Sequence, residues 1–332
     1  MSEEKRLKVG VIGVGALGRH HARLYAQSPN AEVVGIFDVQ KANAEKVGAE
    51  FNLAVYDSWQ ELAEKCDALS VAVPATYHSS TVIPLLEMGK HILVEKPIDA
   101  GVEGARKMVE CAEKNNVVLG VGHTERFNPA MDFFETLGAE PYFIDINRLA
   151  NYPPSRPGLH PRGTEVSVIL DLMIHDIDLV LSMVKSEVKA FEVMASPVLS
   201  PSEDFASVRI TFANGSSANI TSSRISPVPV RQVNVFGKNI SCSLDFGSPK
   251  GCVSTVENGV LEHKEVTFAA KNALADELED FIRAVKATQK SGKVVPTKVP
   301  GAAGLAALEL AIAIEEASRK NNETAGFNFS GN

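Results

Sequence analysis

Short hydrophobic runs alternate with amphipathic stretches over residues 1–121. The runs with the length of buried strands are Leu7–Ile12, Glu32–Asp38, Ala68–Val73, His91–Glu95 and Val117–Val121. Between them lie segments with helical periodicity, such as Thr81–Met88 and Val102–Lys114. This alternation is typical of βαβ units and predicts an α/β fold with a doubly wound parallel sheet in a first domain of residues 1–121.

The pattern changes to a series of short strands over residues 122–300, the predicted second domain. These strands are Pro141–Leu149, Val188–Ala195, Ser207–Phe212, Ser217–Ser223, Arg231–Phe236, Ser241–Phe246 and Gly251–Glu257. Turn signals such as Ala213-Asn214-Gly215 connect several of them and favour a mainly antiparallel sheet. Asn272 is a suitable N-cap for a helix that follows. A last helix, in residues 301–332, is expected to pack back on the first domain.

Composition describes an ordinary globular protein of two domains. The chain has 332 residues, of which 45% are hydrophobic and 22% charged, and a net charge of −8. This charge argues against nucleic-acid and anionic-membrane partners. The N-terminal segment Met1–Arg6 lacks the pattern of a signal peptide. The four cysteines have no CxxC spacing, so we expect reduced thiols in a cytoplasmic protein.

A glycine-rich segment, Gly13-Val14-Gly15-Ala16-Leu17-Gly18, directly follows the first predicted strand. It matches the dinucleotide-binding fingerprint, in which the glycines permit a tight turn, close approach of the pyrophosphate and close helix packing. Asp38 ends the second strand, where a carboxylate accepts hydrogen bonds from the ribose hydroxyls and repels a 2′-phosphate. NAD is therefore predicted over NADP, which Lys41 leaves open. The predicted NAD contacts are Gly13, Gly15, Ala16, Leu17, Gly18, Asp38, Val73, Pro74, His78, Glu95 and Lys96.

Two further segments carry candidate catalytic groups. Glu95-Lys96-Pro97 ends a strand at the ligand edge of the sheet, and Pro97 keeps Lys96 out of helical geometry. Asp171, His175 and Asp178 lie at i, i+4 and i+7 on a helix that is otherwise apolar. Such a stripe is either an internal network or a site. We predict an internal partner for Asp178, and site roles for Asp171 and His175. None of the His, Asp and Glu clusters has zinc spacing, so no metal is predicted.

These motifs, in this order, resemble the glucose–fructose oxidoreductase/inositol dehydrogenase (Gfo/Idh/MocA) family over nearly the whole chain. The resemblance implies a Rossmann domain, a C-terminal domain with a large open antiparallel sheet, and a site between the domains. It also implies a homo-oligomer, a dimer or tetramer, that forms through the open sheet. Lys96 matches the lysine of the family's EKP motif, which contacts the reacting oxygen. Asp171 and His175 match its D-x-G-x-H-x-x-D signature, in which Met173 here replaces the glycine.

A narrower resemblance is to the branch that contains UDP-N-acetylglucosamine 3-dehydrogenases. The segments that carry it are Gly122–Pro129, Pro161–Glu165 and Leu170–Asp178. It implies a 3-keto sugar nucleotide made for a partner aminotransferase in lipid A biosynthesis. The predicted substrate contacts are Lys96, Arg126, Asn128, Arg162, Asp171 and His175. Arg126 and Arg162 would bind a diphosphate or a uronate, and their alternative is surface ion pairing. The segment Asn151–His160 departs from this branch.

The expected reaction is oxidation of a sugar hydroxyl at C3 by NAD. His175 would take the hydroxyl proton, Lys96 would stabilise the alkoxide, and Asp171 would orient the substrate or His175. A lowered lysine pKa would instead let Lys96 share the proton transfer. The alternatives are an inositol or free-sugar dehydrogenase and a non-catalytic NAD-binding regulator. The presence of Lys96, Asp171 and His175 together argues against the regulator.

Overall fold

The computed structural model describes residues 5–154 and 163–324 of the chain. The chain folds into two compact units. The first comprises Met1–Phe127 and Asn272–Leu308, and the second comprises Asn128–Lys271 and Glu309–Asn332. In the ranges described, no helix combines the length and apolar character that crossing a bilayer requires.

The first unit is built on a parallel five-stranded sheet in the order β2-β1-β3-β4-β5. Its strands are β1 (Leu7–Ile12), β2 (Ala31–Phe37), β3 (Ala68–Val71), β4 (His91–Glu95) and β5 (Leu119–Gly122). Its helices within Met1–Phe127 are α1 (Gly18–Gln27), α2 (Lys41–Phe51), α3 (Trp59–Lys65), α4 (His78–Glu87) and α5 (Val102–Lys114). Each residue of β3, β4 and β5 is buried, as expected for strands covered on both faces. The sheet confirms the predicted parallel architecture.

The second unit is built on an eight-stranded sheet in the order β13-β12-β11-β10-β6-β9-β8-β7. Its strands are β6 (Pro141–Leu149), β7 (Val188–Ser196), β8 (Phe205–Phe212), β9 (Ser217–Ser223), β10 (Val230–Gly237), β11 (Ile240–Asp245), β12 (Lys250–Glu257) and β13 (Val260–Thr267). All neighbours are antiparallel except β6 and β9. Helices α6 (Pro129–Leu137) and α7 (Ile174–Met183) belong to this unit, and a π-helical turn, Ile169–Met173, precedes α7.

Strand β6 shows how the two faces of the large sheet differ. Ile144, Ile146 and Arg148 alternate along the strand and are buried, as the two-residue period of a strand requires. The other face carries half-buried side chains, among them Phe143, whose ring stacks on Phe236 of β10 with centroids 5.9 Å apart. The predicted mainly antiparallel sheet with one open face is confirmed.

The division into units differs from the predicted boundaries at the C-terminal end. Helix α8 (Ala273–Ser291) belongs to the first unit, although residues 272–300 were expected in the second domain. The reason is that Leu278, Phe281 and Ile282 share one core with Val9 and Val11. Helix α9 (Gly301–Thr324) begins in the first unit, but its residues from Glu309 onward cluster with the second unit.

Strand β13 has no counterpart in the predicted series. Seven of its eight residues are exposed, so the strand lacks the alternation that marks a half-buried strand. The preceding Asn258 and Gly259 both have positive φ values, 51° and 76°. An Asn-Gly pair is the strongest short hairpin signal and would have indicated this hairpin.

All four cysteines are free thiols. Cys242 is opposite Val253, and Cys252 is opposite Ser243, so the two thiols lie on opposite faces of the sheet. Burial raises the pKa of the Cys66 thiol to about 12 and that of Cys242 to about 11. Both thiols are therefore poor nucleophiles at neutral pH.

Candidate active site

The glycine-rich segment forms the connection from β1 to α1, and its three glycines have different reasons to be glycine. Gly13 has a φ of 82°, and a Cβ there would lie 2.8 Å from the carbonyl oxygen of Ala72. A Cβ on Gly18 would collide with the carbonyl oxygen of Gly13. At Gly15 a Cβ would meet no heavy atom within 4 Å. The first two glycines are needed by the fold, whereas Gly15 borders open space.

This geometry fits a dinucleotide. Gly15, Ala16 and Leu17 are exposed directly before the first residue of α1, where backbone N–H groups and the helix dipole favour phosphate. A side chain on Gly15 would occupy the space that the pyrophosphate needs to reach the backbone.

Asp38 follows β2 and is held beside the glycine-rich segment. Its Oδ2 accepts a hydrogen bond from the Val14 N–H at 2.8 Å, and its Oδ1 accepts one from the Gln40 N–H at 2.8 Å. A carboxylate has capacity for further donors, so it can still accept from ribose hydroxyls. Lys41, which left NADP open, forms an ion pair with Asp57 at 2.9 Å. These contacts favour NAD over a cofactor with a 2′-phosphate.

The predicted catalytic Lys96 directly follows β4 and is half-buried. Its backbone N–H donates to Glu95 Oε2 at 3.2 Å, and Glu95 Oε1 lies 2.9 Å from His21 Nε2 on α1. Burial alone would raise the pKa of Glu95, but its hydrogen bond and electrostatic interaction with His21, together with the interactions of Lys96, outweigh burial and lower this pKa. The Glu95 carboxylate thus connects the backbone N–H of Lys96 to helix α1, which follows the glycine-rich segment.

His78 makes a second connection between loops at this edge of the sheet. Its Nε2 lies 2.9 Å from the carbonyl oxygen of Val73, and its Nδ1 lies 2.9 Å from that of Pro97. The side chain is 1% exposed. His78 therefore holds together the loops after β3 and β4. Direct NAD contacts by His78 and Glu95 remain predictions, as do those by Val73 and Pro74.

In the second unit, Asp171 lies in the π-helical turn and His175 lies in the first turn of α7. The sequence pattern predicted one regular helix through both residues. The structure instead has a wider turn, with the Ile174 N–H donating to the carbonyl oxygen of Ile169. Asp171 and His175 are both half-buried, whereas Asp178 is 1% exposed. Asp178, for which an internal partner is predicted, is thus the most buried of the three residues, and the site roles of Asp171 and His175 remain predictions.

A buried ion pair next to His175 was not predicted. Arg148 of β6 donates from Nε and Nη2 to the two carboxylate oxygens of Asp176, at 2.8 and 2.7 Å. Burial raises the pKa of Asp176, and the charge and hydrogen bonds of Arg148 offset this only in part. The pair joins α7 to a central strand of the sheet at the residue that follows His175. Arg148 on the buried face of a strand was the signal that could have revealed it.

The predicted substrate-binding residues have different environments. Arg126 is half-buried in a 3₁₀ turn, Thr124–Phe127, in the first unit. Asn128 is the N-cap of α6, where its Oδ1 accepts from the Ala130 N–H at 3.0 Å and its Nδ2 donates to the Phe246 carbonyl oxygen at 3.2 Å. Arg162 lies outside the described residues. Among the residues described, no cluster of three or more His, Cys, Asp or Glu side chains is arranged to hold a metal ion.

The glycine-rich segment of a parallel sheet, with an acid after the second strand, defines an NAD-binding oxidoreductase. Residues 7–123 match the model of the oxidoreductase family with an NAD-binding Rossmann fold. Residues 139–243 match the GFO/IDH/MocA C-terminal domain. The chain belongs to the Gfo/Idh/MocA family, whose members include sugar dehydrogenases.

Among curated relatives, the UDP-N-acetylglucosamine 3-dehydrogenase of Acidithiobacillus ferrooxidans is 31% identical over 320 residues, 93% of this chain and 97% of that protein. A solved structure of this enzyme superposes with a TM-score of 0.87 at 30% identity, covering 95% of this chain and 98% of that one. The scyllo-inositol 2-dehydrogenase (NAD(+)) of Bacillus subtilis is 27% identical over 84% of this chain and 81% of that protein.

Proposed function

We propose that this enzyme oxidises the C3 hydroxyl of UDP-N-acetylglucosamine with NAD, giving the 3-keto sugar nucleotide. The observation that carries this proposal is the similarity to the A. ferrooxidans enzyme, which extends over 93% of the chain and through both units. The scyllo-inositol 2-dehydrogenase of B. subtilis is less similar to this chain, at 27% identity.

Oxidation of a secondary alcohol removes a hydride from carbon and a proton from oxygen, and leaves a carbonyl group. NAD, when held by the glycine-rich segment and Asp38, would supply the hydride acceptor. His175 takes the hydroxyl proton, since an imidazole is a suitable general base at neutral pH. The Lys96 ammonium stabilises the negative charge that develops on the oxygen. Asp171 orients the substrate or the His175 ring.

The arginines provide the specificity for a nucleotide sugar in this proposal. Arg126 and Arg162 carry planar guanidinium groups that suit two-point recognition of a diphosphate or a uronate. Asn128 also contacts the substrate in this proposal, although its side chain already caps α6 and binds the Phe246 carbonyl. An inositol or a free sugar has no phosphate and would not need these arginines.

We also propose a pathway, a cellular compartment and an oligomeric state for the enzyme. A 3-keto sugar nucleotide is a substrate for an aminotransferase, so we place the enzyme in amide-linked lipid A synthesis in the cytoplasm. We also propose a dimer or tetramer that forms through the open face of the eight-stranded sheet. The exposed Phe236 ring, stacked on Phe143, supports an apolar contact there.

The test is the formation of reduced nicotinamide by purified enzyme with NAD and a panel of UDP-sugars, free sugars and inositols. We expect UDP-N-acetylglucosamine to give the highest kcat/KM. Arg126→Ala and Arg162→Ala should lower activity on UDP-sugars, while Arg106→Ala, at an exposed position on α5, should not. Higher activity with inositols or free sugars, unaffected by the two arginine variants, would replace this proposal with the inositol or free-sugar alternative.

A further inference from the structure

A second buried ion pair lies in the second unit, away from Arg148 and Asp176 in sequence. Arg224, directly after β9, donates from Nε to Oδ1 of Asp204, directly before β8, at 2.7 Å. Arg224 is 2% exposed and Asp204 is fully buried. Burial would raise the pKa of Asp204, but hydrogen bonds from Ser200 and Arg224 hold it well below its usual value. The Asp204 carboxylate is therefore a fixed, ionised anchor for the guanidinium.

The remaining donors of Arg224 reach a neighbouring turn, Gly163–Val166. Its Nη1 donates to the carbonyl oxygens of Gly163 and Val166, at 2.6 and 2.9 Å. Its Nη2 donates to Ser202 Oγ at 2.8 Å, and that hydroxyl donates to the Val166 carbonyl oxygen at 2.9 Å. Both ends of the turn are thus held by one guanidinium, whose planar shape fixes the directions of these bonds.

The turn lies against the carboxylate of Asp171. Gly163 has a φ of 86°, and a Cβ built on it would collide with Asp171 Oδ2 and lie 3.1 Å from Asp171 Cγ. A residue with a side chain would therefore be strained by its backbone conformation and would also displace the carboxylate. The close approach of Gly163 leaves that carboxylate little room on this side.

We propose that Arg224 and Gly163 are positioning residues for Asp171. Arg224 holds the turn, and the turn limits the directions that the Asp171 carboxylate can adopt. This inference rests on the proposed role of Asp171 in the reaction. It adds that the orientation of Asp171 is set from Asp204 through Arg224, and that this role requires the guanidinium fork and a glycine at position 163.

The contacts define two variants that disturb Asp171 from different sides. Arg224→Lys keeps the positive charge but loses the planar guanidinium. The turn therefore loses the hydrogen bonds that its Gly163 and Val166 carbonyl oxygens accept. Gly163→Ala keeps Arg224 and its partners but pushes on the carboxylate. Arg209→Lys makes the same chemical change at an exposed position on β8 and is the matched control.

Steady-state kinetics on the full chain, with the best substrate of the panel, test the proposal in wild-type and Asp171→Asn backgrounds. We expect Arg224→Lys and Gly163→Ala each to lower kcat/KM for the sugar by at least about tenfold, since a displacement near 1 Å costs about 10²-fold. KM for NAD should stay unchanged. In the Asp171→Asn background each effect should shrink to less than about twofold. Melting temperatures, measured alongside, show whether Arg224→Lys folds. Gly163→Ala tests the link between the turn and Asp171 while the Asp204–Arg224 ion pair stays intact.

Two results would overturn the positioning role. If both substitutions lower kcat/KM equally in the two backgrounds, they act through general stability and not through Asp171. If Asp171→Asn itself leaves kcat/KM unchanged on the substrate that wild-type enzyme oxidises, the proposed role of Asp171 is wrong, and the positioning role is wrong with it. The first result leaves the proposed function intact, so the two failures are distinguishable.

Discussion

The loops around Lys96 and the turns around Asp171 and His175 are held in place by different interactions. In the first unit the loops after β1, β3 and β4 are joined mostly through backbone groups, by the glycines and by Asp38, His78 and Glu95. In the second unit two buried arginines, Arg148 and Arg224, join distant segments through carboxylates and carbonyl groups. Apart from the buried contact between Glu95 and His21, the first arrangement relies on backbone groups, whereas the second depends on two buried ion pairs whose partners come together only in the fold.

This difference has consequences for how each region tolerates change. A surface hydrogen bond or ion pair contributes little, because water replaces it. Removing one partner of a buried ion pair leaves a charge without its counterion in a medium of low polarity. We therefore expect substitutions at Arg148 and Arg224 to affect the second unit more severely than substitutions of exposed polar residues affect the first.

The largest effect should come from the reacting residues themselves. His175→Ala should lower kcat by about 10²–10⁴-fold, as expected for the loss of a general base. His263→Ala, at an exposed position of β13, is the control and should leave kcat unchanged. The measurement is steady-state formation of reduced nicotinamide. An unchanged kcat in His175→Ala would show that His175 is not the general base. The two regions would then differ only in the interactions that hold them in place.

Next in size is the loss of the ion pair beside His175. Arg148→Met should destabilise the second unit by about 3–5 kcal/mol, because Asp176 is left buried and unpaired. The double variant Arg148→Met with Asp176→Leu should recover most of this loss. Chemical denaturation followed by circular dichroism measures both.

Arg283→Met is the matched control for that series. Arg283 forms an exposed pair with Asp280 on α8, so its loss should cost less than about 1 kcal/mol. Equal costs for Arg148→Met and Arg283→Met would contradict the distinction between the two regions.

A smaller effect, on cofactor affinity, is expected from substitution of Asp38 beside the glycine-rich segment. Asp38→Asn should weaken NAD binding by about 10–150-fold, the equivalent of about 1.5–3 kcal/mol for a hydrogen bond to a charged group. It should also narrow the preference for NAD over NADP, because the negative charge is removed. Fluorescence titration with NADH and NADPH measures both affinities, with Glu64→Gln, which removes an exposed carboxylate on α3, as the control. An unchanged ratio of the two affinities would show that Asp38 does not select the cofactor.

The smallest effect concerns pH. The pKa of Asp204 is depressed in the folded protein, so its contribution to stability is present above the unfolded value of about 3.9 and is lost as pH falls toward the folded value. Below about pH 4 the free energy of unfolding of the wild-type protein should fall by up to about 1.4 kcal/mol per pH unit relative to that of Asp204→Asn. Denaturation curves at several pH values give this difference. Parallel curves for the two proteins would mean that the Asp204–Arg224 pair is not ionised as described.

Much of the fold was predictable because its signals are local. The strands of the parallel sheet were predicted within a few residues of their ends, and Asn272 does cap α8, with its side chain accepting from the Ala275 N–H at 3.2 Å. The assignment of α8 to the first unit was not predictable, because an amphipathic face does not say which core it covers. The exposed β13 lacked a hydrophobic pattern altogether.

The candidate site was predictable only where a motif carries its own geometry. The glycines and Asp38 fulfil the predicted arrangement within one βαβ unit. Glu95 pairs with His21, which lies 74 residues away in sequence. Asp176, the residue after His175, pairs with Arg148, which lies 28 residues away. Arg224 is likewise 61 residues from Gly163. No spacing rule connects such residues, so only the folded chain shows which charges are paired.

The most direct test of the proposed reaction uses UDP-N-acetylglucosamine with deuterium at C3. With NAD and wild-type enzyme, we expect the deuterium to be transferred to the reduced nicotinamide and the sugar product to carry a 3-keto group. Mass spectrometry of the isolated NADH and of the sugar nucleotide detects both. Reduced nicotinamide without deuterium, or a carbonyl group at another carbon, would contradict oxidation at C3.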